Sequence, residues 1–534
     1  MNAARGGTGD PAPSQPDSAQ SDPATPQPDS ARADTNLELA QREGPAAALE
    51  RALILATCTL VTVLYAMTVT IANVSLPAIQ GTLSATPDQI AWVVTSNLVA
   101  TAVATPLAGW LVVRMGRRWL MNACVLAFGL ASLGCGLSGS LEELVLWRTV
   151  QGAVGAPLVP ASQAIVLDAY RRERHGAVLA IYGMGSVLGP IIGPTLGGWL
   201  AETYNWRWLF YMIVPFAIVS LLGTLAVIRD REIAQRKALD WTGFLSLSVA
   251  LAAAQLMLDR GELADWFDAP EIIGWAAVAL VALYAFVVHS LSTPQPFLDL
   301  RLFADRNFVV GLVLVFVFGM LNFTPMTLLP PLMQNVGSYP DSVVGLVIGS
   351  RGVGTLAAFS FMIVGSRIEP RLMIVTGFLL QAWAGWELAH LDTQPTVAAV
   401  FGPMVMQGFG VGLLWVPITM VTFNTLDSRL VPDGSAVYHM VRNFGSAVHI
   451  SLTVTVSLRM ARTAYGELAE RVTPFNASVL PPAWSTDHPA GLASLARELH
   501  RQSMMIGYLD AFVFFVATSL VVLPLVAAIR LRKA

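Results

Sequence analysis

Three ionisable side chains, Arg148, Arg351 and His449, sit inside long apolar stretches of the chain. A guanidinium in hydrocarbon costs at least about 2.5–3.5 kcal/mol on insertion scales, so it normally turns inward and finds a partner. Imidazole changes charge near neutral pH. His449 is therefore either a proton-exchanging group or a neutral, hydrogen-bonded ring. The amides Asn97, Asn322, Gln381 and Gln407 share this setting, and an amide in hydrocarbon needs a partner. Trp92, Phe323, Met326 and Trp415 add aromatic and polarisable surface suited to adaptable recognition of amphiphilic molecules. Each of these four, taken singly, also suits plain packing against lipid or a neighbouring helix. The sequence shows no nucleophile–base pair, metal-ligand cluster or phosphate-binding loop. It therefore predicts a non-enzyme with no cofactor and no metal.

The elements that must position these groups follow from composition. The chain has 534 residues, of which 54% are hydrophobic and only 13% charged. A soluble domain carries about 25% charged residues, so the chain reads as a polytopic membrane protein. The net charge of -3 and the lack of a basic stripe exclude nucleic acid as a partner. Cys58, Cys124 and Cys135 all fall in apolar runs and read as small packed hydrophobes.

Fourteen runs are long enough to cross about 30 Å of hydrocarbon: 53–75, 90–112, 119–138, 144–167, 176–197, 206–228, 241–259, 271–291, 307–330, 342–364, 371–391, 396–423, 435–458 and 507–529. Residues 1–50, rich in Pro, Ser, Asp, Gln and Ala, read as a disordered tail without a cleavable leader. Arginine clusters at 114–118, 171–174, 229–237, 301–306, 367–371, 429 and 530–533 fall on one side, which places both termini in the cytoplasm. The segment 459–506 is then the longest outer loop, with helical character at 459–472 and 489–503. Loops of that length are usually functional or disordered.

Residues 185–198 read Gly-Ser-Val-Leu-Gly-Pro-Ile-Ile-Gly-Pro-Thr-Leu-Gly-Gly. Gly185, Gly189, Gly193 and Gly197 fall on one helix face and allow close helix approach, while Pro190 and Pro194 remove backbone donors. This double Gly-Pro repeat in the fifth run resembles the antiporter motif of the major facilitator superfamily. Three further stretches resemble that superfamily: Gly109-Trp-Leu-Val-Val-Arg-Met-Gly-Arg-Arg118, with Arg114, Gly116 and Arg117; Arg148-Thr-Val-Gln-Gly152; and Thr70-Ile-Ala-Asn-Val-Ser-Leu-Pro77. With Leu258-Asp-Arg-Gly261, Phe303-Ala-Asp-Arg-Asn-Phe308 and Val472-Thr-Pro-Phe-Asn476, the chain resembles the fourteen-helix drug:proton antiporters of EmrB/QacA type, in their EmrB-like branch.

The resemblance implies an all-α membrane protein with the major facilitator fold and 14 transmembrane helices. Two six-helix bundles, 51–228 and 301–534, would flank two inserted helices within 229–300. It implies multidrug efflux by alternating access, with small amphiphilic substrates, protons and membrane lipid as partners. It also implies a bacterial inner membrane, a periplasmic adaptor and an outer-membrane channel. An exporter of an endogenous metabolite (a siderophore or a fatty acid) and a non-transporting receptor are the alternatives. The family usually has Asp in its first helix where this chain has Thr68, and Asp in the basic loop where it has Val113. The carboxylates nearest the spans, Asp168, Glu387 and Asp510, lie toward span ends. Arg148, matching the superfamily's helix 4 arginine, is a coupling candidate or a structural hub. Arg351, His449 and Glu387 complete the coupling candidates, with Glu387 a possible counter-charge for Arg351.

Overall fold

A computed structural model describes residues 44–74, 76–228, 238–364, 368–427, 430–473, 481–484, 488–527 and 529. The arginine clusters at 229–237, 429 and 530–533, the residue Arg367, and most of the Val472–Asn476 stretch lie outside the described residues. Residues 45–50, expected in the tail, instead open the first helix.

The long helices are α1 (Pro45–Val74), α2 (Pro87–Ala104), α3 (Leu107–Met115), α4 (Arg117–Leu137), α5 (Leu141–Gly155), α6 (Leu158–Ala169), α7 (His175–Thr203) and α8 (Ile213–Val227). They continue as α9 (Trp241–Arg260), α10 (Pro270–Ser292), α11 (Arg306–Pro331), α12 (Asp341–Val364), α13 (Pro370–Leu388), α14 (Val397–Asn424), α15 (Val431–Glu470) and α16 (Pro489–Val521). Among the described residues, 10 helices are long and apolar enough to cross a membrane, or up to 11 if a bent pair counts as one span. The remaining expected runs, 176–197, 371–391 and 435–458, are helical as well.

Local chemistry sets the helix ends. Thr86 and Gln89 form a reciprocal capping box on α2, at 3.4 and 3.0 Å. Ser140, Asp305 and Thr396 each accept a backbone N–H to start α5, α11 and α14. Pro106 cannot donate to the preceding turn, and α2 and α3 meet there at 58°.

Packing divides the helices into an earlier group, α1–α8, and a later group, α11–α16. The glycine face of α7 lies on α1: a Cβ on Gly189 would come 2.7 Å from Ala66 Cβ and 2.8 Å from the Val63 carbonyl oxygen. Gly185 meets Thr59 and Gly197 meets Ile71 on the same face, and Gly193 is buried. Pro190 and Pro194 both lie within the unbroken α7. Only glycine permits this backbone approach.

Between the groups, α9 and α10 form a hairpin fastened at both ends. Asp240 accepts from the Gly243 and Phe297 N–H groups at 3.0 Å and from His289 at 2.8 Å, and Arg260 pairs with Glu271 at 2.8 Å. The hairpin also touches both groups. The Arg260 guanidinium lies 5.9 Å from the Trp92 ring, and Ser451 donates to the Leu258 carbonyl at 2.7 Å.

The two groups meet at the end carrying Arg114, Arg117 and Arg118, called here the basic end. Gly109 in α3 lies so close to α15 that a Cβ there would overlap the Asp433 side chain. Ser435 donates to the Pro160 carbonyl at 3.2 Å, His439 bonds Gln163, and Tyr182 stacks on Trp415 at 6.0 Å. Gly116 ends α3 at φ 80, which glycine adopts freely. Arg117 pairs with Asp168, while Arg114 is exposed.

The contact between the groups does not extend evenly along α12. Positions 345, 349, 352, 356 and 359 of α12 form one stripe at helical spacing. Phe359, nearest the basic end, packs on Gly183 of α7; a Cβ on Gly183 would come 2.7 Å from its ring. Gly345 and Gly349, higher on the same stripe, face open space, with nothing within 4 Å of a built Cβ. One helix face thus runs from tight contact to open space.

Candidate functional site

Arg351 sits where that stripe changes from open to packed. Its guanidinium is half-buried and is held from two other helices. Nε donates to Gln407 Oε1 of α14 at 2.7 Å, Nη1 points to the Met326 sulfur of α11, and Nη2 donates to Asn322 Oδ1 of α11. Gln407 is itself locked: its Nε2 donates to Gln381 Oε1 of α13 at 3.1 Å, and Gln381 Nε2 donates back to the Gln407 carbonyl at 2.9 Å. Five expected site residues, Arg351, Asn322, Met326, Gln381 and Gln407, therefore form one network. Phe323, half-buried, lies next to Asn322 on α11.

Among the described residues, the charge of Arg351 has only neutral partners. Glu387, weighed as a counter-charge, is exposed near the end of α13 and accepts from the Trp383 indole at 3.1 Å. A guanidinium offers five N–H donors, and the network uses three. By count, Nη1 and Nη2 each keep one further N–H beyond these bonds.

Arg148 differs from Arg351 in burial and surroundings. It is 1% exposed, on α5, and donates to the Val93 carbonyl at 3.1 Å and to Gln151 Oε1 at 2.7 Å. Gln151 in turn donates to Ser132 at 2.7 Å, and the Phe210 ring lies 6.0 Å from the guanidinium carbon. Asn97, expected on the substrate path, instead donates to the Arg148 carbonyl at 2.9 Å and fastens α2 to α5. Thr68 bonds its own helix, at 3.0 Å to the Leu64 carbonyl.

His449 is fully buried, with Thr324 at 2.6 Å on Nδ1, Thr518 at 3.3 Å on Nε2, and Phe514 stacked at 5.2 Å. Both ring nitrogens thus have neutral hydroxyl partners, which is the geometry of a satisfied imidazole. Trp415 is buried between Tyr182 and Phe359 and belongs to the basic-end closure. Trp92 is 38% exposed beside Arg260.

Sequence reading passed over three residues. Asp259, second from the end of α9, accepts from Gln255 at 2.9 Å while its other carboxylate oxygen is buried without a partner. His439 and Arg442 of α15 lie at the interface between the groups. Polar spacing along α15, with His439, Arg442 and His449, was the available signal.

Comparison with known proteins places the chain. The Major Facilitator Superfamily model matches residues 58–449. The multidrug export protein EmrB of Escherichia coli K12 is 33% identical over 441 residues, 82% of this chain and 86% of that protein. The fatty acid resistance protein FarB of Neisseria gonorrhoeae is 34% identical over 414 residues, 77% of this chain and 81% of that one. The human organic anion transporter MFSD10 shares the fold, with a TM-score of 0.61 at 13% identity, covering 91% of this chain and all of that one. An all-helical chain whose two groups of helices close at a basic end, with relatives of this similarity over most of its length, belongs to the major facilitator superfamily and, within it, to the EmrB-like drug-efflux family.

Proposed function

We propose that the protein exports amphiphilic compounds from a bacterial cell in exchange for protons, by alternating access of a central cleft. The stripe along α12 supports this reading: one helix face is packed at the basic end and open toward the other. With fourteen spans and both termini cytoplasmic, the basic end would lie inside and its closed contacts would belong to an outward-facing state. The halves that rock are 51–228 and 301–534, with 229–300 supplying the two inserted helices. The EmrB and FarB relatives, named for multidrug export and fatty acid resistance, support an amphiphilic cargo.

Arg351 gives the cargo its charge preference. Neutral or anionic amphiphiles fit a cleft whose held cation lacks a carboxylate, and monocationic dyes do not. A fatty acid or another endogenous acid is equally suited to this site.

The helices α15 and α16 support an outer partner. The 40 residues of α15 span about 60 Å at 1.5 Å per residue, twice the hydrocarbon thickness. Its last turns and the first turns of α16 stand beyond the core as an antiparallel pair, where a periplasmic adaptor, linked to an outer-membrane channel, would dock.

Counterflow tests transport itself. Proteoliposomes preloaded with an unlabelled long-chain carboxylate are expected to take up the labelled compound transiently above its equilibrium level. A receptor without a transport cycle gives no overshoot, and that result would overturn the reading.

A further inference from the structure

The closure at the basic end contains one contact that depends on protonation. His439 of α15 is 1% exposed and bonds Oε1 of Gln163, which is fully buried on α6 in the other group of helices. The bond leaves two buried polar atoms without partners: His439 Nδ1 and Gln163 Nε2. In the tautomer that donates Nε2–H to Gln163, Nδ1 carries a bare lone pair. One turn along α15 stands Arg442, whose Nε is also buried without a partner.

Among the described residues, the other surroundings supply no compensating charge. Tyr65 of α1, Tyr182 of α7 and Tyr438 of α15 lie around Arg442, and Thr419 of α14 bonds Tyr438 at 2.9 Å. Phe316 of α11 lies against Gly445. Asp168, near the end of α6, is engaged by Arg117, and Asp433 lies against Gly109 of α3 at the start of α15.

We propose that the His439–Gln163 contact is a proton-sensitive latch between the two halves, closing only when the imidazole is neutral. A proton from water on Nδ1 would place an unpartnered N–H and a second cation beside Arg442 in a dry interface. Buried, unpaired charge of that kind is strongly disfavoured. When the basic end opens, water reaches His439 and the ring takes up a proton. The basic end closes again only after that proton has left. The latch thus makes closure of the basic end depend on the pH of the water that reaches that end, without itself carrying a proton across the membrane.

Distances across the basic end test the latch without any substrate. Trp119 and Leu372 are exposed, one in each group of helices, and Cys58, Cys124 and Cys135 are buried. Full-length protein with Trp119→Cys and Leu372→Cys is spin-labelled in lipid discs and measured from pH 8 to pH 5. The short distance should lose population on acidification, by up to about tenfold in the closed-to-open ratio per pH unit for one linked proton. His439→Gln, which keeps an amide donor for Gln163, should hold the short distance at every pH. His439→Asn should give the same flat profile if the Gln variant does not assemble. An unshifted wild-type distribution, or a pH response retained in these variants, would overturn the proposal.

Discussion

Arg351→Leu is expected to abolish export of carboxylate-bearing amphiphiles while leaving neutral ones within a few-fold of wild type. If the remaining N–H of Nη1 and of Nη2 each meet a cargo carboxylate, two charge-assisted bonds form, each worth about 1.5–3 kcal/mol. Losing both raises the substrate concentration needed for half-maximal transport by about 100-fold or more. Arg351→Lys keeps the charge but not the planar fork, so it should recover only part of the affinity. Gln381→Leu probes the support: it frees Gln407 and lets the guanidinium drift, with a smaller loss of about tenfold. Transport of an acid and its amide, compared in the same vesicles, checks this. Equal losses for both compounds would remove Arg351 as an anion subsite.

Arg148→Met is expected to leave the protein folded and to stop proton-driven turnover. Arg148 is a fully buried cation whose partners in this state are a carbonyl, an amide and an aromatic ring. Replacing a buried charge by an apolar side chain of similar length relieves its desolvation, often by a few kcal/mol. Against that, Gln151 Oε1 loses a donor, at about 1–3 kcal/mol. Thermal stability should therefore move little in either direction. A buried charge whose partners here are all neutral is expected to meet a counter-ion in another state of the cycle. Turnover should fall about 100-fold or more, with counterflow less affected than uphill transport. Wild-type turnover in Arg148→Met would make the residue a packing hub only.

The interior role of Arg148 and Arg351 was legible because a charge inside an apolar run has few physical solutions. The network of Asn322, Gln381 and Gln407 was legible in part: each amide had to find a partner, and three of them found Arg351 or one another. Asn97 obeyed the same rule with a different outcome, bonding the Arg148 backbone, since periodicity does not say which helix lies opposite. Glu387 failed as a counter-charge for that reason too: its place on α13 points it to Trp383. The His439–Gln163 latch was invisible because the two residues are far apart in sequence and meet only when the halves close. The glycine face of α7 was readable down to its residues, although which helix it packs against, α1, was not.

One proton returning down a gradient of one pH unit supplies about 1.4 kcal/mol, and a potential of 100 mV adds about 2.3 kcal/mol. Purified protein in proteoliposomes with an imposed pH gradient, and a labelled non-titrating neutral amphiphile initially equal on both sides, measures whether that energy is used, protein-free vesicles giving the baseline. The account predicts a sustained concentration ratio of about tenfold per pH unit, collapsing on addition of a protonophore. A ratio that stays at one, with counterflow intact, would show a carrier that only equilibrates its cargo and would contradict proton-driven export.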